Sequence, residues 1–128
     1  MDAKLSDSEL RVMNLLWRAG GELPAREVIE KLGLEDGMSS SAAYTLVYRC
    51  IKKGAIERLE PGFVCRAVPS RRDVQESQTN ELVDRLFDGS VDKLFASLLQ
   101  SERVSRDEID RLRAYVEHYD DGGRTQTL

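Results

Sequence analysis

The chain has 128 residues, of which 41% are hydrophobic and 33% charged, with a formal net charge of −4. That suits one small folded domain, or one domain with an appendage. No apolar run approaches the ~20 residues of a membrane span and no secretory leader opens the chain, so a cytoplasmic protein is expected.

The run Ser-Asp-Ser-Glu at 6–9 is a capping box and predicts a first helix to about residue 18. Leu10, Met13, Leu15, Leu16 and Trp17 supply its apolar side, and Gly20 and Gly21 end it. Pro24 suits the first turn of a second helix to about residue 32, with Val28, Ile29 and Leu32 as its buried stripe. Residues 33–38 read as a glycine-containing connection.

A third helix is predicted over 40–53, opened by serines that can accept from its free N–H groups. Ala43, Leu46, Val47, Cys50 and Ile51 recur at helical spacing and suit a core. Ser41, Tyr44, Thr45, Tyr48, Arg49 and Lys52 face outward and suit phosphates and base edges. Gly54 stops this helix. Residues 56–59 and 63–68 are short runs rich in β-formers, and Pro61-Gly62 between them favours a tight turn. A hairpin of that size must pack on helices to be stable. Three helices followed by a hairpin make a winged helix-turn-helix over 1–69, with helix 40–53 as its recognition helix. The predicted fold is thus mainly α with a small β-hairpin wing.

Charge is unevenly distributed. Residues 41–72 carry seven basic and two acidic side chains, a net of +5, whereas 73–128 carry seven basic and thirteen acidic, a net of −6. DNA feels such a local stripe rather than the total, because fields are screened within about 10 Å. Arg49, Lys52, Arg58 and Arg66 are therefore expected on the DNA backbone. Two alternatives stay open: Tyr44 and Tyr48, four apart on one face, either touch DNA or pack against the first helix, and Arg49 either meets phosphate or pairs with an acid inside the domain.

The second half differs. A helix over 70–87 offers Val74, Leu82, Val83, Leu86 and Phe87, and Asp88-Gly89-Ser90 breaks it. A helix over 91–101 carries Val91, Leu94, Phe95, Leu98 and Leu99. A capping box at 105–108 opens a last helix to about 118, striped with Ile109, Leu112, Tyr115 and Val116. Residues 120–128 read as a disordered tail. The apolar faces either fold back on the first domain or meet a second copy. A dimer suits a DNA reader, because two copies span two half-sites one turn apart. Residues 70–119 are thus expected to dimerise through Leu82, Leu86, Phe87, Val91, Leu94, Phe95, Leu98, Leu99, Ile109, Leu112 and Val116.

Catalytic and metal chemistry find no support. His118 lies near a helix end, where the dipole favours a cation, and lacks co-ligands. No Ser or Cys has a His partner for a nucleophilic triad, and the glycine pairs precede no Lys-Ser/Thr. Cys50 and Cys65 form no C-x-x-C pair and read as reduced, buried small hydrophobes. No enzyme activity, metal or cofactor is expected.

In order and spacing, Glu9, Val12, Met13, Asn14 and Trp17, then Ser39, Thr45, Leu46, Arg49, Lys52, Lys53 and Gly54, then Ser105, Asp107, Glu108, Ile109, Leu112 and Arg113 resemble the penicillinase-repressor family, the BlaI/MecI/CopY group of bacterial winged-helix repressors. The resemblance covers residue 5 to about 118. It implies a homodimeric repressor on a pseudo-palindromic double-stranded DNA operator, and it adds Ser39 to the expected DNA contacts. The family usually has Trp, Lys and Thr where this chain has Met38, Ser41 and Ala42, which implies a different operator or greater reliance on Tyr44, Tyr48 and the wing. Relatives that answer β-lactams are cut by a sensor metallopeptidase at an Asn–Phe bond, which falls here at Ser97 and Leu98, residues of a different kind. Copper-responsive relatives carry a C-terminal Cys-x-Cys pair set, which this chain lacks. The rival expectation is a winged-helix protein-interaction module without DNA binding.

Overall fold

The computed structural model describes residues 4–122. The chain divides into two compact units, Met1–Thr79 and Asn80–Leu128. The division falls inside the helix Arg71–Leu86, whose Val74 is buried in the core of the first unit.

In the first unit, α1 (Asp7–Arg18) is opened by the expected reciprocal cap. The Glu9 N–H donates to Ser6 Oγ at 3.2 Å and the Ser6 N–H donates to Glu9 Oε1 at 2.8 Å. Helix α2 (Ala25–Asp36) outruns its predicted end at 32, because Gly33 is tolerated within the helix and the left-handed stop is Gly37, at φ 65°. Helix α3 (Ser40–Lys52) is capped by Ser39, whose Oγ accepts the Ala42 N–H at 3.2 Å. Val12, Met13, Leu16, Val28, Leu32, Val47 and Cys50 interlock as the core of the three helices. Each such large side chain contributes about 1.5–3 kcal/mol by leaving water.

The sheet has three strands, one more than the hairpin expected. β2 (Ile56–Leu59) and β3 (Val64–Ala67) form that hairpin, and β1 (Glu22–Pro24) pairs antiparallel on the other side of β3. Pro24 therefore ends an edge strand, where its missing N–H costs nothing, and caps α2 instead of entering it. Trp17, on the apolar side of α1, packs half-buried against the core, and its indole N–H donates to the Pro69 carbonyl at 3.0 Å.

The second unit comprises the end of α4 (Arg71–Leu86), then α5 (Val91–Gln100) and α6 (Arg106–Gly122). Ser90 caps α5, and Ser105 with Glu108 forms the expected capping box of α6. The Ser105 N–H and hydroxyl hold the Glu108 carboxyl below its ordinary pKa. Helix α6 continues through residues 120–122, part of the stretch expected as a disordered tail; 123–128 lie outside the described residues. Among the described residues no helix is long and apolar enough to cross a membrane.

Candidate nucleic-acid interface

Helix α3 has two unlike sides. Ala43, Leu46, Val47 and Cys50 are buried, while Ser41, Thr45, Tyr48, Arg49 and Lys52 are exposed and Tyr44 is half-buried. The exposed set is what base edges and phosphates need: hydroxyls, phenols and cations on one helical face. Thr45 Oγ1 donates to the Ser41 carbonyl at 3.0 Å, which orients the hydroxyl and leaves its lone pairs outward. Ser39, expected at DNA, spends its hydroxyl on the cap. Where the family's Trp, Lys and Thr usually stand, Met38 packs half-buried against the core and Ser41 and Ala42 are exposed.

Both tyrosines pack against the wing, and Tyr44 packs against the core as well. The Tyr44 and Tyr48 rings stack at 6.3 Å between centroids, and Phe63 lies 6.4 Å from Tyr44 and 5.9 Å from Tyr48. Phe63 adopts φ 50°, costly for an aromatic residue by roughly 1–2 kcal/mol. Its ring contacts and two hydrogen bonds offset that cost: its N–H donates to Glu60 Oε2 at 3.3 Å, and its carbonyl accepts the Ala25 N–H at 2.9 Å. The wing tip is thus fixed to the exposed face of α3. Phe63 was visible as an apolar residue at the turn, but nothing local in sequence marks its partners.

The cations fall into two groups. Arg58 Nε donates to Glu60 at 2.6 Å, and its guanidinium lies 3.7 Å over the Phe63 ring. The Arg58 hydrogen bond, with the Phe63 N–H, holds the Glu60 carboxyl below its usual range. Arg66 is hydrogen-bonded to Glu57, directly opposite it in the β2–β3 register. Lys53, counted in the basic stripe, turns away: its Nζ donates to Glu9 Oε1 at 2.7 Å and to the Lys4 carbonyl at 2.8 Å. Among the described residues no ion pair engages Arg49 or Lys52, so the internal acid considered for Arg49 is absent there.

Both cysteines are fully buried and free. Burial pushes the Cys50 thiol up to about 12 and the Cys65 thiol up to about 11, so neither offers a thiolate near neutrality. Among the described residues no cluster of three or more His, Cys, Asp or Glu could hold a metal.

In the second unit the expected dimerisation residues are mostly uncovered. Leu82, Leu86, Val91, Phe95, Leu99 and Val116 are exposed, while Phe87, Leu94, Leu98, Ile109 and Leu112 are half-buried. Helix α5 buries no residue at all. Ser97 is exposed and lies beside Leu98 within α5.

The family model described as penicillinase repressor matches residues 5–118. The chain belongs to the penicillinase repressor family. Among its relatives, the penicillinase repressor of Bacillus licheniformis is 27% identical over 118 residues, covering 91% of each chain. The methicillin resistance regulatory protein MecI of Staphylococcus aureus (strain N315) is 26% identical over 112 residues, covering 86% of this chain and 90% of that protein. The solution structure of the DNA binding domain of the repressor BlaI aligns with a TM-score of 0.49 and 32% identity, covering 54% of this chain and 85% of that one. The penicillinase repressor family is one of repressors rather than enzymes.

Proposed function

We propose that this penicillinase repressor family member is a sequence-specific DNA-binding transcriptional repressor that binds a pseudo-palindromic operator as a homodimer. One observation carries it: a helix sealed into the core on one side presents Ser41, Thr45, Arg49 and Lys52 outward on the other, with a wing fixed beside it. Helix α3 enters the major groove. Its N-terminal half, Ser41, Tyr44 and Thr45, reads bases; Arg49 and Lys52 bind phosphate; Arg58 and Arg66 reach backbone from the wing. The exposed apolar residues of α5 and α6 join two copies. Operator occupancy blocks transcription, and a signal that parts the copies relieves it, with cleavage near Ser97 and Leu98 by a sensor metallopeptidase as one such route.

The test is a mobility-shift titration with operator DNA across a salt series. A dimer making three or four phosphate contacts per copy should give a log–log slope of about −6, and Thr45→Val should cost about 1–3 kcal/mol per half-site, at one symmetric base position only. Salt-independent affinity, or a Thr45→Val loss spread evenly over all sequences, would contradict the proposal.

A further inference from the structure

Both arginines of the wing are already answered by carboxylates of the wing itself. The hairpin register sets Glu57 opposite Arg66, and the two are hydrogen-bonded. Glu60 divides its oxygens: Oε1 accepts from Arg58 at 2.6 Å and Oε2 accepts the Phe63 N–H at 3.3 Å. Stacking on Phe63 covers one face of Arg58 as well. All four charged side chains are about half exposed, so DNA can reach them. Residues 56–67 carry only these four charges and therefore have no net charge. Arg49 and Lys52 on α3, by contrast, have no ion pair among the described residues.

We propose that Glu57 and Glu60 limit affinity by competing with DNA phosphate for Arg66 and Arg58, holding down sequence-independent binding. The inference rests on the DNA-binding function proposed above. A phosphate approaching Arg66 must displace the Glu57 carboxylate or settle beside it. Displacement forfeits a charge-assisted hydrogen bond, and co-occupancy adds like-charge repulsion. Either way a wing arginine gains less from phosphate than an unpaired cation does. The discount applies to every sequence alike, because phosphate contacts position the protein without reading bases. Its effect is weaker hold on bulk DNA, while the face of α3 decides where the protein stays.

The experiment is equilibrium binding of the full chain to a duplex of scrambled sequence over a salt series. Glu57→Gln and Glu60→Gln should each tighten binding about two- to fivefold at low salt and steepen the log–log slope by up to about 1. Glutamine keeps the shape and an acceptor for the Phe63 N–H, and unchanged thermal unfolding verifies the fold. The gain from Glu57→Gln should vanish in an Arg66→Ala background, and that from Glu60→Gln in an Arg58→Ala background. Unchanged or weaker binding overturns the proposal. So does a gain that survives loss of the arginine, which marks a general field effect instead of local competition. A wild-type chain that binds no duplex at any salt fails at the proposed function itself, and the role of the glutamates falls with it.

Discussion

Replacing both Phe95 and Leu99 by Glu is expected to leave the chain monomeric and to remove tight operator binding. Phe95 is 43% and Leu99 55% exposed, and α5 buries none of its residues. With Val91, Phe95 and Leu99 exposed, the apolar side of α5 lacks much of the stabilisation that tertiary packing supplies to an amphipathic helix. In the proposed dimer a second copy would supply it by burial, and two carboxylates per copy in that interface would be desolvated without partners. Loss of the interface converts linked binding of two half-sites into two independent events, which costs about 10²–10⁴ in apparent affinity. Sedimentation equilibrium should report a single-chain mass for the double variant and twice that for the wild type. Thermal unfolding of the first unit should not change. A double variant that still sediments as a dimer would place the interface elsewhere than α5.

Lys53→Met is expected to destabilise the first unit by about 2–4 kcal/mol at neutral pH. Its partner Glu9 is 2% exposed, and the Glu9–Lys53 contact is 2.7 Å. Burial pushes the Glu9 carboxyl up, but the Lys53 ammonium and the Ser6 N–H outweigh it and hold the carboxyl below its ordinary value. A carboxyl depressed in the folded state contributes stability at pH above its unfolded value, near 4.3, and loses it as pH falls through the folded value. In Lys53→Met the ammonium is gone and burial dominates, so Glu9 tolerates protonation better. The gap between variant and wild type should therefore be widest near pH 7 and narrow steadily as the pH falls toward and below about 4. Chemical denaturation at several pH values measures it. A gap that does not change with pH would show that Lys53 acts through packing of its stem rather than its charge.

Much of this fold was legible because its signals are local. The capping boxes at Ser6 with Glu9 and at Ser105 with Glu108 reach only three positions along the chain, and the structure places both as read; the serine cap expected on α3 is supplied by Ser39. The division of α3 into buried and exposed sides follows from helical period alone. Strand β1 was not legible: three residues ending in Pro carry no periodicity, and only pairing with β3 makes them a strand. The end of α2 was misplaced because Gly33 and Gly37 look alike in sequence, and only Gly37 takes the left-handed conformation. Charge pairing was the largest gap. The basic stripe counted Lys53, whose partner lies 44 positions away in Glu9. Arg66 with Glu57 becomes readable only once the hairpin register is known. The wing packing of Tyr44 and Tyr48 on Phe63 is likewise a tertiary fact.

Selection of bound duplexes from a random-sequence pool, with the full wild-type chain, decides whether two copies read one operator. An enriched pair of inverted half-sites is expected, with centres about one helical turn, or a multiple of it, apart. Thr45→Val should change the preferred base at one symmetric position in both halves. Enrichment of no sequence, or of a lone unrepeated half-site, would contradict the proposed function.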